Sequence, residues 1–274
     1  VHAVKNPLEV TIPGAGNPTG QLFNDTTAFR TNLFIFASED GTISGWRPEL
    51  GTAAEPLISR TNAVYKGITL TTNANGPVLL AANFREGTLD MYDTNLNLVF
   101  QFSDPSAPAG FAPFNVQTRE GMVFVTFALQ DTNREDDVAG PGNGLIDTFD
   151  PLNGIFHRFA SGSNAGGQIP QINSPWGVVV TPTGFAGRAS ELLVGNFGSG
   201  TIMRFDVTGQ FLGVLLGTNG RPLVIDGLWA LTFGNGGQAG LPGSLFFSAG
   251  PAEEKHGLFG RLEPVVVRGN GIPR

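Results

Sequence analysis

The chain predicts an all-β fold, a β-propeller built of four-stranded antiparallel blades. Three observations carry that prediction. A short segment recurs with a period near 50 residues, Gly-bounded apolar runs of strand length fill each period, and no stretch places apolar residues at helical spacing over three turns.

The recurring segment is a glycine, two apolar or β-branched positions, then a large apolar residue and usually an acid. It appears as Gly41-Thr42-Ile43 before Trp46, Gly87-Thr88-Leu89 before Tyr92-Asp93 and Gly144-Leu145-Ile146 before Phe149-Asp150. It returns as Gly200-Thr201-Ile202 before Phe205-Asp206 and Gly257-Leu258-Phe259 before Leu262-Glu263. The glycines stand 46, 57, 56 and 57 residues apart, a period that belongs to a propeller or array rather than a sandwich.

Each period reads as a meander. In the fourth, Gly177–Val180, Glu191–Phe197, Thr201–Asp206 and Phe211–Leu215 are four apolar runs separated by Gly-containing turns. The units fall at about 20–60, 65–103, 113–160, 175–217 and 227–268, within a single domain over 1–274. The innermost strands of the other units are expected to start near Asn24, Gly67, Asn115 and Trp229. Leu8-Glu9-Val10-Thr11-Ile12 alternates like a half-buried strand with no meander before it. It is expected to be an outer strand, either closing a five-bladed ring or ending a first blade supplied elsewhere, which would make six. A gap left in the ring would expose a sheet edge open to strand-sharing self-association.

Composition agrees with this fold and excludes several functions. Gly 39, Pro 19 and Phe 22 with only 14% charged residues suit short strands, tight turns and a pleated core. The net charge of −7 and the absence of a Lys/Arg cluster argue against nucleic acid as a partner. With no cysteine there is no disulfide, thiolate metal site or thiol nucleophile. No run of 18 apolar residues is present, so no membrane-spanning helix is expected.

Several segments also carry a resemblance: SEDGTISGW at 38–46, AVYKG at 63–67, ANFREGT at 82–88, APFNVQ at 112–117, SPWG at 174–177, VGNFGSG at 194–200 and VIDGLWAL at 224–231. They resemble an uncharacterised bacterial family of conserved hypothetical proteins associated with PEP-CTERM sorting systems, itself similar to NHL-repeat propellers. The resemblance implies a six-bladed design of which this chain lacks the first blade, and an extracytoplasmic setting (secreted, periplasmic or at the cell surface).

Propeller geometry places candidate site residues at a channel mouth, where strand two ends and strand one starts. Lys66, Arg85, Trp176 and Trp229 are the ligand-binding candidates, the tryptophans either stacking a ring or packing between blades. Glu39, Asn83, Asn115, Asn196 and Asp226 offer hard oxygens from five units, a donor set suited to Ca²⁺. Ile225-Asp226-Gly227-Leu228 is similar to the metal-binding strand start of gluconolactonase-type propellers. The alternative is that these side chains cap their own turns. Asp131 and Asn133 match the start of an EF-hand loop, but Asp136 stands where glycine is needed, which favours a solvated acidic loop. Asp93, Asp150 and Asp206 recur at one position and read as turn formers.

Two functions follow. One is an extracytoplasmic binding or scaffold module that takes a small molecule, polysaccharide or protein at the mouth. The other is a Ca²⁺-dependent lactonase- or esterase-like hydrolase in which the ion polarises a carbonyl and Glu39 or Asp226 moves protons. His2, His157 and His256 lie away from the mouth positions, which disfavours a Ser-His-Asp relay.

Overall fold

The computed structural model describes residues 7–14, 17–162, 172–183, 185, 190–237 and 239–265. Among these residues, nineteen strands form five consecutive antiparallel meanders, and the helices are two single 3₁₀ turns, Phe29–Thr31 and Pro48–Leu50. The architecture is a five-bladed β-propeller. The first blade holds β1 (Pro18–Phe23), β2 (Phe34–Ser38), β3 (Thr42–Trp46) and β4 (Glu55–Ser59). The second holds β5 (Tyr65–Asn73), β6 (Gly76–Asn83), β7 (Thr88–Tyr92) and β8 (Leu98–Phe102). The third holds β9 (Phe111–Arg119), β10 (Met122–Leu129), β11 (Gly144–Asp150) and β12 (Ile155–Ser161). The fourth holds β13 (Pro175–Val180), β14 (Leu192–Asn196), β15 (Ile202–Phe205) and β16 (Phe211–Val214). The fifth shows three strands among the described residues: β17 (Leu228–Phe233), β18 (Leu245–Ala249) and β19 (Leu258–Leu262).

The recurring glycine has a local cause in three of the blades. Gly41, Gly87 and Gly200 sit in the β-hairpin between second and third strands with φ of 78°, 70° and 67°, and each donates its N–H back to Ser38, Asn83 or Asn196. A side chain there would be strained, and at Gly41 and Gly200 a Cβ would also run into the backbone oxygens of Arg60 and Ile225. Gly144 does a different job, because a Cβ there would collide with Pro175 and Ile172 of the next blade.

Apolar side chains alternate across each sheet, so cores form between neighbouring blades. One packs Val78, Leu80 and Leu89 against Val116, Val125 and Phe127, and another packs Phe124 and Ile146 against Val178, Leu192 and Phe205. The middle position of the third strand breaks the apolar pattern in a regular way: Asp90, Asp147 and Arg204 stand there, each ion-paired, to Arg60, Arg158 and Glu191. Side chains also tie the innermost strands together. The Thr19 hydroxyl donates to Tyr65 O (2.8 Å), the Thr69 and Thr118 hydroxyls meet at 3.2 Å, and Asn115 donates to Trp176 O (2.8 Å). Farther along β9, Gln117 accepts from Val178 N (2.7 Å) and Arg119 donates to Val178 O (2.9 Å). These bonds satisfy strand edges that face another blade rather than a partner strand.

Two expectations need correction. The first innermost strand is Pro18–Phe23, ending just before Asn24 rather than starting near it, because Asn24 caps the 24–32 turn through Thr26 N and Asn32 O. Leu8 to Ile12 is not an outer strand of any blade. Thr11 makes a single parallel bridge to Ala53 beside the first blade, and Val10 and Ile12 line a cavity with Phe36, Gly20 and Gln21 on that blade's outer face. Flanking Pro7 and Pro13 carry no N–H to lengthen a ladder. β1 packs on β5, β5 on β9, β9 on β13 and β13 on β17, and no comparable packing joins β17 to β1 among the described residues. Among the described residues the stack is open at that point.

Candidate functional site

One structural device builds the mouth. Each innermost strand carries a β-bulge near its start, at Thr19, Lys66–Gly67, Phe114, Trp176–Gly177 and Trp229–Ala230. A bulge re-aims a side chain, and here it turns one residue per blade toward its neighbours around the axis. Gly20, Gly67 and Gly177 are the residues that let the next strand approach, since a Cβ at each would meet the backbone of Lys66, Asn115 and Trp229. Lys66, Trp176 and Trp229 thus occupy equivalent places, and Phe114 joins them.

The aromatic half of the mouth comes from blades two to five. Phe114 meets Trp176 edge-on at 4.9 Å, Trp176 meets Trp229 edge-on at 4.6 Å, and Trp229 stacks on Phe197 at 4.2 Å. Phe84 packs beside Phe114 at 5.5 Å. Trp176 is 5% exposed and packs between blades, whereas Trp229 and Phe197 are half-buried and present ring surface. The Trp229 indole N–H donates to Glu254 (2.5 Å), which sits in the turn between β18 and β19.

The charged half is centred on Lys66, whose side chain is only 3% exposed. Its ammonium pairs with Glu39 from the first blade and, at 3.0 Å, with Asp136 from the third, and it lies 5.9 Å above the Phe84 ring. Arg85 pairs with Glu135. Both loop acids, Glu135 and Asp136, come from the connection between β10 and β11.

That connection spans residues 130–143. In the third blade the β9–β10 ladder runs past the bulge through Pro113–Phe127 and Ala112–Ala128 to Phe111–Leu129, whereas the second blade stops one pair beyond its bulge. Asp131 folds the loop by accepting the N–H groups of Glu135 and Asp136. Gly140 then donates to Asn173 Oδ1 (2.7 Å), fixing the loop to the fourth blade. The acidic loop is solvated as expected, exposed over residues 132–136, and it also docks as a strap on blades two and four. Beneath it, Asp137 and Ser174 each hold a buried oxygen without a hydrogen-bond partner. Burial pushes the Asp137 carboxyl above its usual range, tempered by the nearby Ser174 hydroxyl and the Lys66 charge.

Each of the five expected metal donors has an oxygen engaged inside the chain. Asn83 Oδ1 accepts from Val64 N (3.4 Å) and Glu86 N (3.3 Å), Asn115 Oδ1 from Val116 N (2.8 Å), and Asn196 Oδ1 from Asn173 N (3.0 Å). Glu39 is taken by Lys66 and Asn17, and Asp226 accepts from Ala252 N (2.9 Å). Among the described residues no three carboxylates or histidines gather as a cation site. Asp93, Asp150 and Asp206 cap their own turns through Asn95, Leu152 and Thr208 N–H groups. His157 and His256 are exposed in an outer strand and a turn.

Sequence reasoning passed over Phe84, Phe114, Phe197, Asp136 and Glu254. A signal for two of them was present: Asn83-Phe84 and Asn196-Phe197 are the same pair at the end of the second strand. The long-range docking of Asp136 on Lys66, 70 positions away, left no local mark.

No family model matches the chain. It is 30% identical over 236 residues to an uncharacterized protein of Acanthamoeba polyphaga mimivirus, covering 78% of this chain and 56% of the relative. A second mimivirus protein, also uncharacterized, is 29% identical, covering 85% of this chain and 62% of its own length. The chain thus spans little more than half the length of these curated relatives, which are viral and give the bacterial sorting-system resemblance no support. Among solved structures it is similar to a streptogramin B lyase, with a TM-score of 0.55 and 13% identity over 93% of this chain and 71% of the lyase. At that identity the likeness is one of fold, and it is a likeness to β-propellers.

Proposed function

We propose that the chain is a ligand-binding propeller module whose site is the mouth strapped by residues 130–143. The observation that carries this reading is the division of the mouth into two halves. Partly exposed Trp229 and Phe197 offer an apolar surface that Phe114 and Phe84 continue toward Lys66, and Lys66 and Arg85 are each neutralised by a carboxylate of the strap. A ligand with a ring face and an anionic group matches both halves, and its anion can take the place of Glu135 or Asp136. An acidic saccharide is such a ligand. An extracytoplasmic setting remains part of the proposal and rests on the segment resemblance.

The test is tryptophan fluorescence and calorimetric titration with uronic-acid oligosaccharides against neutral ones of equal length. Binding of the acidic series that Trp229→Ala and Lys66→Met each weaken at least tenfold supports the reading. Equal, negligible heats for both series overturn it. Turnover of a lactone or ester that requires Ca²⁺ would favour the hydrolase alternative instead.

A further inference from the structure

None of the innermost strands β1, β5, β9, β13 and β17 carries an aspartate or glutamate. Between them they hold two cations, Lys66 near the start of β5 and Arg119 at the end of β9. Gly67 lies against Asn115 and Thr69 against Thr118, so β5 and β9 run the same way. Lys66 therefore stands at the strapped mouth and Arg119 at the opposite end of the axis. Acids from a turn and from the strap, Glu39 and Asp136, neutralise Lys66. Arg119 has no carboxylate partner among the described residues; its side chain bonds only to carbonyls.

That isolation sets Arg119 apart. Arg47, Arg60, Arg85, Arg158 and Arg204, with side chains 13% to 33% exposed, are each paired with a carboxylate. In a chain with 23 acidic residues such partners are not scarce. Arg119 is instead positioned by neutral groups. The hairpin turn Glu120-Gly121, with φ of 49° and 80°, sets it opposite Met122. Its Nε donates to Val178 O of the fourth blade (2.9 Å) and its Nη1 to Thr118 O (3.1 Å). A guanidinium has five N–H groups, so the remaining donors are free and its charge is unbalanced. The residue is half-buried, and burial alone lowers its pKa, though not enough to discharge a guanidinium. A cation partly withdrawn from water without a counter-charge is costly to keep, and an incoming anion relieves that cost.

We propose that the end of the axis opposite the strap binds an oxyanion, the carboxylate or phosphate group of a small ligand, on the free N–H groups of Arg119. A planar guanidinium matches either group with paired donors. The two carbonyl bonds hold the head in place beforehand, so little side-chain freedom is lost on binding. This site is separate from the mouth. Arg119 lies five positions beyond Phe114 on an extended strand, about 16 Å away. Between them Asn115 and Gln117 bridge to the backbone of the fourth blade. One charged contact without a second cation gives affinity in the millimolar range.

The experiment follows the arginine Nε–H signals of the full native chain by NMR, each assigned through bonds from its own backbone. Sodium phosphate and sodium acetate are titrated separately, each against sodium chloride of equal ionic strength. The expected result is a saturable shift of the Arg119 signal with at least one oxyanion and none with chloride. Arg60, Arg158 and Arg204, already paired, should stay unmoved, and exposed Arg221 should respond at least tenfold more weakly. Saturation by phosphate alone supports a phosphorylated ligand, and saturation by acetate supports a carboxylate. Calorimetry with the preferred anion should show binding weakened at least tenfold in Arg119→Lys, which keeps the charge and loses the fork, and unchanged in Lys66→Met. The native-chain titration does not depend on any variant folding. No saturable shift with either oxyanion overturns the proposal, as does a response that Arg221 shares at the same concentrations. Binding that Lys66→Met abolishes would place the anion at the mouth and overturn it as well.

Discussion

The Lys66 ammonium lies 3.0 Å from an Asp136 carboxylate oxygen, with 3% of the lysine side chain exposed and 73% of the aspartate's. The asymmetry says which partner depends on the other. Asp136 can be solvated without Lys66, so Lys66→Met releases the strap while the methionine stem keeps the contact with Phe84. The expected outcome is faster amide exchange across 130–143 with a global stability loss of no more than about 1 kcal/mol, read by exchange mass spectrometry and urea unfolding.

Asp147 gives a pH dependence of defined sign. Burial, with the neighbouring Asp104 carboxyl, pushes its pKa up to about 7, although Arg158 pulls the other way. A raised folded-state value means that the stability contribution is present at low pH and is lost as pH rises from the unfolded value near 4 through about 7. Asp104 works in the opposite direction. Burial opposes its ionisation, but the Ser106 N–H and hydroxyl outweigh that and hold its carboxyl below the usual range. The Asp147 contribution is therefore isolated by difference: Asp147→Asn should gain stability relative to the native chain as pH rises from about 4 to about 7, by at most about 1.4 kcal/mol per pH unit midway, and the gain should level off above pH 7. Parallel melting curves across that range would contradict it.

Ser174 has a φ of +45°, precedes Pro175 and is fully buried with an orphaned hydroxyl. Gly110 and Gly227 hold the equivalent place in blades three and five, also with positive φ. Ser174→Gly should relieve both the backbone strain and the unpaired group, gaining about 1 kcal/mol after the entropy of glycine is subtracted. Chemical denaturation showing a loss of that size would instead mean that the hydroxyl is needed by Asp137.

Asp226 accepts from Ala252 N at the head of a turn in which Ala252, Glu253 and Glu254 all have positive φ. Asp226→Ala should cost about 1 kcal/mol, as the loss of a cap does, and should alter Trp229 emission through the freed Glu254. The same loss is expected with and without Ca²⁺. A loss that grows in Ca²⁺ would identify the carboxylate as a cation ligand.

The blade order was legible because Gly41, Gly87 and Gly200 answer a local need, positive φ near the end of a short hairpin turn, that sequence displays directly. Lys66, Trp176 and Trp229 were legible as residues at innermost-strand starts for a similar reason, since those starts are marked by the preceding turns. What Asn83, Asn115 and Asn196 do was not legible. An amide oxygen serves a backbone N–H or a cation equally well, and only the positions of Val64, Val116 and Asn173 decide between them. The strap was hidden for a different reason, because acidic loop residues reveal nothing of a lysine 70 positions earlier.

A stack of blades that does not close has two ends, and this changes how it comes apart. Among the described residues each inner unit is clamped by a neighbour on both sides, while the first and fifth have only one, apart from the Val10–Ile12 cover on the first. Such a molecule behaves as a short one-dimensional array whose unfolding starts at the termini and moves inward. Amide protection should therefore form a gradient, highest in β10 and β11 of the third blade and lowest in β18. A closed ring, in which every unit has two neighbours, would lose its protons from all blades together.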